Sequence, residues 1–326
     1  TGAVTTTHEA PRYATDFSDW ELKRGTVLAL REYVPGNLVY ANGNKFVPRR
    51  FHLEADEPLV FAVDVAAESV QELGAGDVAE GSGSLAATRV RGIPMCDVDA
   101  PHQSFISDDE DYRFQMGMAV FGHEQGRHSG GEAFTWGSQS VQLFKGVHLR
   151  LVNTGPAGKV RGDGPLGFPV CRVCGQSRSP MSSQAELEKF SEFHTERCGQ
   201  PVENIAFFAD VVADGLKLPL CADKTQAYSV LEALRHGAAE VLDMELSDLQ
   251  ILTFGHAGEE QVDGLLYDPM PGGSGLLEQL DERWSDVVNA ALAVASSCET
   301  ACQSSCIDCL QNFRNAFYHD SLDRHL

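Results

Sequence analysis

The chain has 326 residues, 43% of them hydrophobic, and a formal net charge of −22 at pH 7. This length and apolar content suffice for about two packed domains and exclude global disorder. The charge excludes nucleic-acid binding over the whole surface, because phosphate contacts need local positive charge. We expect a cytoplasmic protein without membrane contact, since there is no signal-peptide pattern and no apolar run near the roughly 20 residues of a membrane span. The start at Thr1 suggests a piece of a longer polypeptide.

Short β-strands dominate the pattern of the first 160 residues. LVYANGNKFV places Asn42-Gly43 between two β-rich runs, which is a strong hairpin signal. Strand patterns follow at 49–53, 59–65, 113–122 and 140–153, whereas the Gly/Ser/Ala-rich residues 70–88 predict a loop. The Gly/Pro-rich residues 155–167 predict a linker and a domain boundary.

Helices and strands mix in the second half. Residues 204–212, 216–222 and 249–254 predict strands. Apolar residues at helical spacing predict a helix over 225–244 and one long helix over 275–297. The long helix leads directly into a group of four cysteines.

The first cysteine group has the spacing of a zinc ribbon. Cys171 and Cys174 form a C-x2-C pair, and His194 and Cys198 follow about 20 residues later at i, i+4 spacing on a predicted helix. Gly175 suits the tight turn after the second thiol. We predict a zinc site with three cysteine ligands and one histidine. Two buried cysteines beside an unrelated histidine, and a thioredoxin-like redox pair, are the alternatives.

The second group can supply four ligands by itself. Cys298, Cys302, Cys306 and Cys309 fall within twelve residues. Four thiolates around one ion suit a soft tetrahedral metal, and zinc is the default. An iron–sulfur cluster uses the same ligand set, so spacing leaves it open. Both sites have four protein ligands, which is typical of structural zinc. Two zinc ions per chain are therefore expected, and Cys96 and Cys221 are interpreted as ordinary buried cysteines.

These patterns together predict an α+β protein. Its parts are a β-rich N-terminal domain (1–160), a zinc ribbon-like insertion (161–200), and a mixed α/β domain that ends in a helical four-cysteine zinc cluster (201–326).

Positive charge is concentrated in one stretch of this acidic chain. Residues 141–161 carry four bases and no acid. Their bases, with one from the C-terminal tail, are the predicted DNA contacts: Lys145, Arg150, Lys159, Arg161 and Arg314. A solvated strand pair with basic edges is the alternative interpretation.

Nothing in the sequence indicates catalysis by this chain alone. The P-loop ending Gly-Lys-Ser/Thr does not occur, nor do GxSxG and HExxH. The glycine-rich PGGSG at 271–275 opens a helix, and Asp268 before it is interpreted as a turn former rather than a site carboxylate. A metal-dependent nuclease using Asp268, His319 and Asp320 is the enzymatic alternative.

Four stretches occur together in an order that resembles a known family. They are EYVPGNLVYANGNKF (32–46), GFPVCRVCG (167–175), YDPMPGGSGL (267–276) and CETACQSSCIDCLQNFRNAFYHDSLDR (298–324). The chain resembles, over roughly residues 28–326, the C-terminal region of superfamily-2 DNA helicases with a MrfA-like zinc-binding domain, and of the DISARM phage-defence protein DrmB. The resemblance implies zinc at Cys298, Cys302, Cys306 and Cys309, beside a helicase motor that this chain lacks.

The leading hypothesis is therefore a zinc-binding accessory region that supports DNA binding or processing in phage defence or DNA repair. Its partners would be DNA and a superfamily-2 helicase, either a separate subunit or domains of the same polypeptide. An acidic protein-interaction module without DNA contact is the alternative from a different class, because an acidic face can dock on a basic motor.

Overall fold

The structure of the chain is a computed structural model that describes residues 3–8, 20–54, 57–74, 87–107, 116–125, 132–136, 139–156, 164–255, 261–270 and 272–326. The helices in these ranges are α1 (Thr26–Glu32), α2 (Gln184–Cys198), α3 (Lys224–Leu242), α4 (Leu276–Glu282), α5 (Trp284–Ser296) and a 3-10 helix (Phe313–Ser321). The strands are β1 (Ala3–His8), β2 (Trp20–Gly25), β3 (Val39–Ala41), β4 (Asn44–Phe46), β5 (Arg50–Phe51), β6 (Leu59–Asp64), β7 (Ser69–Leu73), β8 (Thr88–Pro94), β9 (Val98–Asp99), β10 (His102–Phe105), β11 (Met118–Glu124), β12 (Glu132–Trp136), β13 (Gln139–Pro156), β14 (Phe168–Val170), β15 (Glu203–Cys221), β16 (Gln250–Gly255) and β17 (Val262–Tyr267). The predicted α+β class is confirmed.

The largest sheet is built around β13 and β15. Its strand order is β11-β13-β15-β8-β6-β7, and β12, β14, β16 and β17 pair at its margins. Two smaller sheets have the orders β2-β1-β9-β5 and β10-β4-β3. Because β13 precedes and β15 follows the predicted ribbon, one sheet takes strands from both sides of residues 161–200. The division at residues 160 and 200 stays a prediction.

The predicted hairpin at Asn42-Gly43 is confirmed by β3 and β4. Both turn residues have positive φ, 46° at Asn42 and 74° at Gly43. Positive φ at both central residues is the requirement of a type I′ turn, whose twist matches the flanking strands.

Several predicted boundaries differ from the structure. The strands expected at 204–212 and 216–222 are one strand, β15, because its pairing with β13 continues on both sides of Asp214. At the irregularity in β13, the carboxylate of Asp214 accepts a hydrogen bond of 2.9 Å from Gly146 N. Residues 69–73 form β7 rather than a loop, since β7 pairs along its length with β6. Thr88 at the other end of the stretch begins β8, and residues 75–86 lie outside the described residues.

The long helix expected over 275–297 is wrong, because the structure has two helices that meet at Arg283. Arg283 leaves the helical region with φ −109° and ψ 24°. Its guanidinium donates to the carbonyl of Val241 at 2.6 Å, which ties the break to the end of α3. The helix expected at 225–244 is confirmed by α3. Among the described residues, every helix is too short or too polar to cross a bilayer.

The C-terminal helices bury their apolar faces against β16 and β17. This core contains Leu231, Leu234, Leu266, Val287 and Leu310, all at most 1% exposed. The four cysteines of the second group border the same core. The metal-binding segment is thus attached to a packed helical layer rather than standing apart from it.

Candidate metal centres

The first cluster consists of Cys171, Cys174, His194 and Cys198, and we call it the ribbon cluster. It forms where β14 ends. Gly175 N donates to the carbonyl of Cys171 at 2.8 Å, and Cys171 N donates to the carbonyl of Gln176 at 2.8 Å, which closes a tight turn. Gly175 has φ 73°, and an added Cβ would lie 1.8 Å from the carbonyl oxygen of Phe51. Only glycine fits this turn, because the backbone of β5 passes directly over it.

Helix α2 supplies two ligands of the ribbon cluster. Ser183 begins α2 with a capping box to Glu186, and Gly199 ends it in the left-handed conformation. His194 and Cys198 lie one turn apart near its C-terminal end, so both side chains point the same way.

The ring of His194 is held by aromatic packing. It lies edge-on against Phe190, with ring centroids 4.5 Å apart. Burial lowers the pKa of His194. A neutral imidazole is the form that binds a metal, so this environment suits a ligand.

The distances in the ribbon cluster fit zinc. Nδ1 of His194 lies 3.5 Å from Sγ of Cys174 and 3.6 Å from Sγ of Cys198. All four ligand atoms lie within 4.8 Å of one another. A tetrahedral zinc with bonds of about 2.3 Å to sulfur and about 2.0 Å to nitrogen separates its ligand atoms by roughly 3.5–3.8 Å.

The second cluster consists of Cys298, Cys302, Cys306 and Cys309, and we call it the four-thiol cluster. It follows the end of α5. The sulfur of Cys298 lies 3.7 Å from that of Cys302 and 3.4 Å from that of Cys306. The sulfur of Cys309 lies 3.8 Å from that of Cys302 and 3.9 Å from that of Cys306. These separations match the edges of a zinc tetrahedron and are far longer than the roughly 2.05 Å of a disulfide bond.

Polar groups in the four-thiol cluster stabilise the thiolate of Cys298. Cys306 N donates to Sγ of Cys309 at 3.1 Å, as expected for a knuckle. The hydroxyl of Thr300 lies 3.2 Å from Sγ of Cys298 and 3.1 Å from Sγ of Cys306. This hydroxyl and the nearby backbone N–H groups lower the pKa of the Cys298 thiol to about 6. Such donors favour the deprotonated sulfur that binds metal.

Arg324 fastens the C-terminal tail to this cluster. Its guanidinium donates to the carbonyl of Cys302 at 3.3 Å and to that of Ala295 at 2.8 Å. Its backbone N donates to the carbonyl of Ser304 at 2.9 Å. One residue therefore joins the end of α5, the cysteine loop and the last residues of the chain.

A buried acid in α3 was not identified from the sequence. Glu232 is fully buried and bonds to Arg235 through both carboxylate oxygens, each 2.7 Å from Nη2. It also accepts from Nδ2 of Asn315 at 2.8 Å and from the hydroxyl of Tyr318. The ring of Tyr318 stacks on Tyr228 with centroids 4.2 Å apart. This acid therefore holds the tail beyond the four-thiol cluster against α3.

Asp268 has the contacts of a turn former. Its carboxylate accepts from Met270 N at 2.8 Å and from the N and hydroxyl of Ser274, each at 2.5 Å. Asp268 is 1% exposed, and these hydrogen bonds hold its carboxylate within the loop that precedes α4. His319 likewise bonds within its own segment, to Asn315 at 2.6 Å. In the part of the chain that the structure describes, the groups of three or more potential ligands are the two clusters above.

Two of the five predicted DNA contacts have described side chains, and both pair with carboxylates. Arg150 forms ion pairs of 2.6 Å with Glu72 and with Asp210, and Lys145 pairs with Glu278. Lys159 and Arg161 lie outside the described residues, and of Arg314 only the backbone is described. The two cysteines outside the clusters differ in burial, since Cys221 is buried and Cys96 is partly buried.

Comparison with known proteins finds similarity to one zinc-binding family. Residues 230–310 match the family model described as the MrfA Zn-binding domain. The chain is 29% identical over 223 residues to the Druantia protein DruE of Escherichia coli (strain UMEA 4076-1). This alignment covers 59% of the present chain and 12% of DruE. The chain therefore spans about an eighth of the length of this relative.

Two crystal structures of the DUF1998 helicase MrfA are also similar. The structure bound to DNA has a TM-score of 0.41 and 11% identity, covering 96% of this chain and 32% of that one. The structure bound to DNA and AMPPNP has a TM-score of 0.30 and 10% identity, covering 94% and 29%.

The family match coincides with the second cluster. The matched residues 230–310 include most of α3, both helices after it and all four thiols of the four-thiol cluster, whereas the ribbon cluster precedes them. The similarity to the MrfA Zn-binding domain thus includes the four-thiol cluster and leaves out the ribbon cluster.

Proposed function

We propose that this chain is a zinc-stabilised accessory region that works beside a superfamily-2 helicase motor. It supports DNA binding or processing in phage defence or DNA repair, in the cytoplasm. The observation that carries this proposal is the match of residues 230–310 to the MrfA Zn-binding domain, in which four thiols stand at tetrahedral spacing. Four protein ligands saturate a tetrahedral zinc, so the ion would hold the fold together and not activate water.

The motor would belong to the same polypeptide or to a partner subunit. This chain matches only 12% of the length of the Druantia protein, which favours a motor in the same polypeptide. The sequence itself lacks the P-loop ending, so ATP hydrolysis must come from elsewhere. Phage defence and DNA repair are both settings that the resemblance implies.

An ATPase comparison tests the proposal. The isolated chain is expected to show no DNA-stimulated ATP hydrolysis, whereas a polypeptide that joins it to its motor should show such hydrolysis. Cys306→Ser should lower the activity of the joined protein, because it removes one zinc ligand, and Cys96→Ser should leave it unchanged. Robust turnover by the isolated chain would refute an accessory role.

A further inference from the structure

Two arginines lie on adjoining backbone segments where the ribbon cluster meets β5, close enough for their charges to interact. Ser177 donates to the carbonyl of Arg49 through its backbone N at 2.7 Å and through its hydroxyl at 3.0 Å. The next residue along the chain is Arg178, whose backbone N donates to the carbonyl of Pro169 at 3.1 Å. The backbone thus fixes Arg49 and Arg178, the arginine pair, on adjoining segments.

The positive charges of the arginine pair are not neutralised by ion pairs with acids in the described part of the chain. Among the described residues, no carboxylate forms an ion pair with either side chain. Glu186 is within electrostatic range of Arg178, but its Oε2 already accepts from the backbone N of Ser183 at 2.9 Å and from the hydroxyl at 2.8 Å. Burial and the charge of Arg178 lower the pKa of Arg49. Two neighbouring cations therefore repel each other in a chain of net charge −22.

The pair can reach a ligand from outside. Arg178 is exposed, and its guanidinium lies 5.8 Å from the ring centroid of Phe190, which supports it from α2. Arg49 is partly buried, so its position is set by packing. A fixed cation next to an exposed one suits a ligand with regularly repeated negative charge.

We propose that Arg49 and Arg178 form a contact site for the phosphate backbone of DNA. A nucleic-acid strand presents successive phosphates, so it satisfies two adjacent guanidinium groups at once, each through bidentate hydrogen bonds. This inference rests on the proposed function, which places DNA beside the chain. It names a site different from the predicted residues of 141–161, two of which pair with acids of the chain itself.

Salt-dependent binding of fluorescein-labelled duplex DNA tests the site. Each phosphate contact adds about 0.9 to the slope of log K against log salt concentration. Arg49→Gln with Arg178→Gln should therefore lower the slope by about 2 and weaken binding roughly tenfold at low salt.

The matched control is Arg24→Gln with Arg91→Gln, which removes the same charge from arginines paired with Glu32 and Glu203. Binding by this control should match that of the unaltered chain. An unchanged slope in the first variant, an equal loss in the control, or no DNA binding by the unaltered chain would overturn the site.

A second measurement uses the unaltered chain and is independent of how the variants fold. Bound DNA should protect Arg178 from phenylglyoxal, an arginine-specific reagent, several-fold, and leave Arg91 as reactive as before. Equal reactivity of Arg178 with and without DNA contradicts the site. These outcomes are distinguishable from failure of the proposed function, because that failure is ATP hydrolysis by the isolated chain.

Discussion

At the scale of single residues, Glu232 shows how a buried charge can be retained. Its two oxygens accept hydrogen bonds from Arg235, Asn315 and Tyr318, so no lone pair faces apolar groups alone. A buried ion pair with full hydrogen bonding contributes little net stability over an apolar replacement, but removal of one partner leaves an uncompensated charge. The same contacts connect α3 to the tail after the four-thiol cluster.

Glu232→Ala should therefore destabilise the chain by about 3–5 kcal/mol, because Arg235 is left buried without its partner. Urea unfolding at constant zinc concentration measures this. Glu240→Ala removes an exposed acid from the same helix and is expected to change the free energy of unfolding by less than about 0.5 kcal/mol. Similar values for the two variants would show that the network has no energetic role.

Thr300 acts on the four-thiol cluster through its hydroxyl. Thr300→Val keeps the shape of the side chain and removes the hydroxyl that approaches Sγ of Cys298 and Sγ of Cys306. Loss of such a supporting contact typically weakens metal binding 10- to 100-fold, so we expect faster zinc transfer to a chelating dye. Ser304→Ala, which removes a hydroxyl from an exposed residue of the same loop, is the control. Equal transfer rates for Thr300→Val and the unaltered chain would contradict this role.

At the scale of elements, α3 and α5 approach each other through a glycine. A Cβ at Gly237 would lie 2.5 Å from the carbonyl oxygen of Val287 and 2.7 Å from Ala291 N. Both are backbone atoms, so the clash cannot be relieved by turning a side chain. Glycine in mid-helix costs roughly 1 kcal/mol relative to alanine, and here close packing offsets that cost.

Gly237→Ala should consequently destabilise the chain by about 1–3 kcal/mol, despite the better helix propensity of alanine. Thermal unfolding measures the loss. Gly25→Ala is the matched control, because an added Cβ there meets no atom within 4 Å. Stabilisation by Gly237→Ala would mean that the two helices do not pack as described.

At the scale of the whole molecule, two ligand clusters lie at two different junctions. The ribbon cluster joins the end of β14 to α2, and the four-thiol cluster joins the end of α5 to the tail. A zinc ion at each junction would add folding free energy to the apolar packing on either side of it.

Native mass spectrometry should find two zinc ions per chain. Cys174→Ser should remove one ion and Cys306→Ser the other, each without loss of the second, because the clusters share no ligand. Cys96→Ser should keep both. A single zinc in the unaltered chain would eliminate one of the sites, and iron with the absorbance of an iron–sulfur cluster would replace zinc at the four-thiol cluster.

The sequence by itself determined features that depend on neighbouring residues. Cysteine spacing predicted both ligand groups, the Asn-Gly pair predicted the hairpin, and apolar periodicity predicted α3. Only the tertiary structure decided the rest. The carboxylates that pair with Lys145 and Arg150 come from distant parts of the chain, as do the partners of Glu232 and the contact that breaks the helix at Arg283. The charge and the helix propensity of a residue can be read from the sequence alone. Whether that charge is paired with an acid, and where a helix ends, depends on which remote groups the fold brings within hydrogen-bonding distance.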